Sequence, residues 1–72
     1  MTEFVHISEI RRGDTVIRDG KPMTVGRKDI KRSAFFGRLL FGDSYNCGRN
    51  PVEVMLFPKW FKGEIIGYRR QI

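Results

Sequence analysis

The dipeptide Asp19-Gly20, set between Thr15-Val16-Ile17-Arg18 and Lys21-Pro22-Met23-Thr24, constrains this chain more than any other feature. A two-residue loop with positive φ at both positions matches the right-handed twist of two flanking strands, and Asp-Gly is a favoured occupant. With those residues as the loop, Arg18 faces Lys21, Ile17 faces Pro22, Val16 faces Met23 and Thr15 faces Thr24. Ile17 and Pro22 then form a non-hydrogen-bonded pair, so the N–H that proline lacks would have pointed away from its partner. Val16, Met23 and Val25 fall on one face, and Thr15, Ile17 and Thr24 on the other. Turn chemistry, proline placement and apolar pattern agree, which predicts an all-β fold.

Further strands follow from the same kind of reading. Ile7-Ser8-Glu9-Ile10-Arg11-Arg12 leads into the first strand as a short helical turn, with Ile7 and Ile10 plugging one end of a core. The second strand starts near Pro22, meets a bulge at Gly26 and resumes through Ile30. A loop around Ser33 and Ala34 precedes a third strand, Gly37 to Ser44. Asn46-Cys47-Gly48-Arg49-Asn50 is rich in turn-formers and reverses the chain.

In Pro51 to Phe57, Val52, Val54 and Leu56 face the core and Glu53 faces solvent, until Pro58 stops the strand. Lys59-Trp60-Phe61-Lys62-Gly63 makes a tight turn before a last strand, Glu64 to Arg70. Five short strands in this order predict a single SH3-like barrel over residues 1–72. A helical reading of the C-terminus competes, because Phe61, Ile65, Tyr68 and Ile72 share helical spacing. Gly63 and Gly67 would each cost that helix about 1 kcal/mol, so strand is preferred.

Size limits what such a domain can do. A chain of 72 residues makes one domain. It buries only about 60% of its unfolded surface, which leaves little room for a deep, dry active site. Fourteen Lys and Arg against eight Asp and Glu give a net charge of +6. That balance favours polyanionic partners, nucleic acid first and acidic protein or anionic lipid second.

Cys47 is the only cysteine, which excludes an intrachain disulfide and a cysteine-based zinc site. Met1 to His6 lacks the basic start and apolar core of a signal peptide. The longest apolar run, Val54 to Phe57, is far short of the roughly 20 residues a spanning helix needs. The expectation is a cytoplasmic protein that does not engage a membrane.

Asp29-Ile30-Lys31, Phe36-Gly37, Leu40-Phe41-Gly42-Asp43-Ser44-Tyr45 and Pro51-Val52, taken with the opening hairpin, carry a family likeness. The chain resembles small uncharacterised accessory proteins of phages and plasmids, from Gly13 to about Val54, with Leu40 to Tyr45 the most specific piece. The resemblance implies a mobile-element accessory protein and brings no activity with it. Small barrels that bind nucleic acid or transcription machinery offer an analogy of fold alone.

The densest charge cluster is Arg27-Lys28-Asp29-Ile30-Lys31-Arg32, with Arg38 following after Phe35 and Phe36. Cations grip phosphates and exposed aromatics give bases a stacking surface, a mixture suited to single-stranded nucleic acid. Arg27, Lys28, Lys31, Arg32 and Arg38 are the candidate phosphate contacts, with Arg11 and Arg12 as outliers in the same field. Phe35 or Phe36 would supply stacking, although so small a core would be expected to claim at least one of them. Trp60 and Phe61, with Tyr45, are the candidate anchors of a rival reading, a module that binds an acidic host protein; one of Trp60 and Phe61 would lid the barrel end.

Other constellations carry less. Gly37 and Gly42 have the glycine spacing of a phosphate-binding loop, but Asp43 stands where lysine is required. Asp43 and Ser44 instead suit backbone hydrogen bonds in a loop. Cys47 and His6 are distant in sequence, with no third group to complete a nucleophilic site, and no carboxylate cluster accompanies His6 to hold a metal. The reading is therefore a non-enzymatic binding protein without cofactor, of weak sequence preference and unassigned oligomeric state.

Overall fold

A computed structural model describes residues 1–71. Eight strands run β1 (Thr2–Val5), β2 (Thr15–Arg18), β3 (Lys21–Thr24), β4 (Ile30–Ser33), β5 (Gly37–Leu40), β6 (Val52–Met55), β7 (Phe57–Phe61) and β8 (Glu64–Arg69). They form a four-stranded sheet in the order β1-β6-β2-β3 and two separate ribbons, β4-β5 and β7-β8. The fold is all-β, as expected, but no sheet closes into a barrel among the described residues, and eight strands replace the expected five.

The opening hairpin has the expected register throughout, from Thr15 opposite Thr24 to Arg18 opposite Lys21. Its loop residues Asp19 and Gly20 have φ of 51° and 75°, the two left-handed values this turn needs. The same device recurs at Phe41-Gly42, with φ of 55° and 78°, and at Lys62-Gly63, with 50° and 79°. At Phe41-Gly42 it ends the third predicted strand early: β5 stops at Leu40, whose backbone bonds across the turn to Asp43 in both directions.

Val16, Val52 and Val54 of the main sheet meet Ile7, Ile10, Val25 and Leu40 in one buried cluster. Ile7 starts the predicted single turn, a 3-10 turn over Ile7–Glu9 capped by the His6 side chain. Gly26 makes no bulge. Its N–H is held by Asp29 Oδ2 at 2.7 Å, which ends the hairpin and opens a second 3-10 turn, Arg27–Asp29. Leu56 lies half-buried at the break between β6 and β7 and is outside the core.

Pro58 does not stop a strand. It sits inside β7 opposite Tyr68, while the reversal falls two residues beyond Trp60 at Lys62-Gly63. Glu64–Arg69 is strand, not helix, and Ile72, the last of the helically spaced residues, lies outside the described residues. No residue of the β7-β8 ribbon belongs to the core cluster. The molecule measures 49 × 22 × 19 Å, with a radius of gyration of 13.5 Å. A compact chain of this length would have about 11 Å. A ribbon of five to six residues per strand, about 17–20 Å long, projecting from the main sheet accounts for that elongation.

The base of the projecting arm is fastened at Asp14, which is only 2% exposed. Its Oδ2 accepts from the Arg11 N–H at 2.9 Å and from Arg70 at 2.6 Å, and its Oδ1 accepts from Gln71 at 2.9 Å. Arg70 and Gln71 also donate to the carbonyls of Glu9 and Arg12. Burial pushes the Asp14 carboxyl up, but the bonds from Gln71, Arg11 and Arg70 and the Arg70 charge together hold it below its ordinary value.

Candidate nucleic-acid interface

The predicted cations lie on one continuous element, the second 3-10 turn and the β4-β5 ribbon. Arg27 and Lys28 stand exposed on the turn that Asp29 closes. In the ribbon Ile30 pairs with Leu40, Lys31 with Leu39, Arg32 with Arg38 and Ser33 with Gly37. Ile30 and Leu40 face the core, and strand alternation sends Lys31 to the opposite face from Arg32 and Arg38. The cations therefore wrap a ribbon instead of paving one flat surface.

Two shallow grooves follow from that split. Lys28 and Lys31 border one with Asp29, Phe41 and Gly42. Arg32 and Arg38 border the other with Ser8, Ser33 and Gly37. Among the described residues the ion pairs are Arg18–Asp43 at 3.5 Å and Arg70–Asp14 at 2.6 Å. Arg27, Lys28, Lys31 and Arg32 thus have no carboxylate partner there.

Arg38 has a structural task that the sequence did not reveal. Its guanidinium donates to the Ser8 carbonyl at 2.9 Å and the Ile10 carbonyl at 2.7 Å, tying the ribbon to the end of the first 3-10 turn. Neutral carbonyls leave its charge uncancelled, and three of its five N–H donors remain. Arg38 can position the ribbon and still contribute to a positive field.

Phe35 and Phe36 occupy the ribbon tip. Ser33 Oγ accepts from both of their backbone N–H groups, at 3.2 and 3.3 Å, and so folds the turn that carries them. Neither ring is in the core: Phe35 is 91% exposed and Phe36 54%. Their centroids lie 6.5 Å apart at 49°. The fully buried core is aliphatic, and the rings packed against it are those of Phe41 and Tyr45, so neither Phe35 nor Phe36 is claimed for the interior.

The other predicted residues distribute differently. Trp60 and Phe61 are 63% and 59% exposed on the arm, so neither lids a barrel end. Tyr45 instead packs half-buried against the core, with a buried hydroxyl that has no hydrogen-bond partner among the described residues. Arg11 and Arg12 are exposed beside the Asp14 joint and lie outside the β4-β5 ribbon in sequence.

His6 and Cys47, distant in sequence, border one small groove with Phe36, Arg38 and Gly48. The His6 Nδ1 accepts from the Ser8 N–H at 3.1 Å, so the ring acts as a cap there. Cys47 lies in a single turn, Tyr45–Gly48, wound left-handed, with φ of 50°, 54°, 57° and 83° along it. Left-handed winding costs about 1–2 kcal/mol per non-glycine residue. Asp43 Oδ1 accepting from the Tyr45 N–H, and Ser44 Oγ from the Cys47 N–H, help to hold it. A Cβ at Gly48 would meet His6 Nε2 at 2.9 Å, so glycine is required there twice over.

No group of three His, Cys, Asp or Glu residues close enough to hold a metal occurs among the described residues. None of the described helices is long and apolar enough to cross a membrane. Comparison with protein families, with curated proteins and with solved structures finds no match for this chain.

Proposed function

We propose that this protein binds single-stranded nucleic acid through the β4-β5 ribbon, with little sequence preference and without catalysis. The observation that carries the reading is the juxtaposition of two exposed phenyl rings at the ribbon tip with four cations that form no ion pair among the described residues. Phosphates would lie along Arg27, Lys28, Lys31 and Arg32, and bases would stack on Phe35 and Phe36. Backbone and stacking contacts position a strand but read no base edge, hence the weak preference. The resemblance to phage and plasmid accessory proteins adds a cytoplasmic, mobile-element setting to the proposal.

Fluorescence anisotropy with short single- and double-stranded DNA and RNA tests it, titrated from 50 to 200 mM salt. Four phosphate contacts on a single strand predict about a fiftyfold loss of affinity across that range. Lys31→Glu with Arg32→Glu should abolish binding. Absence of binding at 50 mM salt would refute the proposal.

A second reading, capture of an acidic host protein through Trp60 and Phe61, is favoured by the exposure of both rings. Trp60→Ala separates the two: it should abolish a protein complex and leave nucleic-acid affinity unchanged.

A further inference from the structure

We infer that two copies of this chain associate by pairing β8 with β8 across a two-fold axis, joining their arms into one four-stranded sheet. The inference is independent of the nucleic-acid reading. It begins from the two open edges of the β7-β8 ribbon. Backbone groups along a strand point alternately to either side, and Phe61 pairs with Glu64 across the closing turn. Counting back from that hydrogen-bonded pair, the nitrogen of Pro58 faces outward. The outer edge of β7 therefore lacks a donor, and Lys59 lies beside the gap; both features discourage strand addition.

The β8 edge has no such protection. Glu64–Arg69 is the longest strand of the molecule, without proline, and carries the exposed Ile65, Ile66 and Tyr68. Its sequence is self-complementary when read antiparallel. With Glu64 opposite Arg69 of the second copy, Ile65 falls opposite its Tyr68 and Ile66 opposite its Gly67, and the two-fold repeats each pair.

Backbone and side-chain geometry both admit this register. Ile65 and Tyr68 are partnered inside the ribbon with Trp60 and Pro58, at positions whose own backbone groups turn outward. They are thus free to form the hydrogen-bonded pair between copies. Glu64 and Arg69 then make the non-hydrogen-bonded pair, where side chains approach most closely and opposite charges attract. The irregularity between Lys59 and Trp60 places an extra residue in β8 and brings Glu64 and Arg69 onto one face. Ile65 and Tyr68 share the other face with Pro58 and Trp60 and no charge. Joining two arms doubles that apolar face without setting like charges against each other.

Pairing along six residues buries less than the roughly 1,200 Å² of a stable interface, so association should depend on concentration. Sedimentation velocity should show monomer at low micromolar concentration and dimer as the concentration approaches the order of 1 mM. Glu64→Arg or Arg69→Glu alone should weaken the dimer about tenfold, because each replaces two attractive pairs with two repulsive ones. The double variant, Glu64→Arg with Arg69→Glu, should recover wild-type association. Circular dichroism checks that each variant keeps its fold.

A wild type that stays monomeric throughout, or a dimer indifferent to these charges, would overturn the inference. So would a double variant that fails to recover. Trp60, the only tryptophan, reports the alternatives. A monomer whose emission shifts with anionic vesicles, nucleic acid or an acidic protein would assign the arm to that partner instead.

Discussion

Hairpins β2-β3 and β7-β8 are built by the same local code and end in opposite circumstances. Each closes with a residue-glycine pair whose φ values agree within a few degrees, and each places a proline where its missing N–H faces away from the partner strand. Yet Val16 of the first hairpin is fully buried beside Val54, whereas Ile65 and Trp60 of the second lie open. The difference comes from the neighbour. β6 lies between β1 and β2 and gives Val16 a buried partner, while among the described residues no third strand pairs with β7 or β8. A turn and an apolar alternation specify a hairpin; only a second layer or a flanking strand makes it part of a core.

The comparison can be broken first at the joint between the two regions. Asp14→Ala removes the acceptor that holds Arg70, Gln71 and the Arg11 N–H. The expected loss is about 2–3 kcal/mol in urea unfolding, below the full cost of breaking a buried pair because Arg70 is 26% exposed. Acid should do the same. The Asp14 carboxyl is depressed in the folded state, so its contribution is complete above its unfolded pKa and is lost as the pH falls through the folded value. Stability followed from pH 6 to pH 2 should therefore decline below about pH 4, and less so in Asp14→Ala.

Core and arm should separate next. Val16→Ala should cost about 2 kcal/mol of global stability through lost burial, whereas Ile65→Ala on the exposed arm should cost under about 0.5 kcal/mol. Equal losses would show that the arm is integral to the core. Below the Val16 effect comes the paired glycine test, because alanine at Gly20 or Gly63 meets the same left-handed strain of about 1 kcal/mol. The first should appear as a global loss in urea. The second should appear as faster hydrogen exchange confined to β7 and β8, with the urea midpoint little changed.

The ribbon β4-β5 shows how far residue chemistry alone can place a site. Arg27, Lys28, Lys31 and Arg32 are on the element the charge run marked, because a run of cations cannot be buried without partners. Arg38 is different: its attachment to the Ser8 and Ile10 carbonyls joins segments about thirty residues apart, a contact no local pattern encodes. Phe35 and Phe36 were ambiguous because a phenyl ring fills a core or caps a tip equally well, and the aliphatic cluster decided the matter. Phe35→Ala should lower nucleic-acid affinity by about 1–3 kcal/mol, read by anisotropy. It should leave the unfolding midpoint unchanged, since the ring is 91% exposed.

By itself the sequence determined what depends on neighbouring residues: the opening hairpin and its register, the 3-10 turn at Ile7, the inward valines of β6 and the strand character of the C-terminus. These are matters of φ, of missing or present N–H groups and of two-residue periodicity, all readable within a few positions. Tertiary structure alone decided the rest. Thr2–Val5 became a strand because the β6 edge was free to pair with it, and four residues show too little alternation to announce that. The barrel stayed open because the two ribbons pair only within themselves. Pro58 joined a strand instead of ending one because its nitrogen faces the solvent edge of an unflanked ribbon. Each outcome turns on which distant segment arrives beside which, and a local pattern carries no information about that.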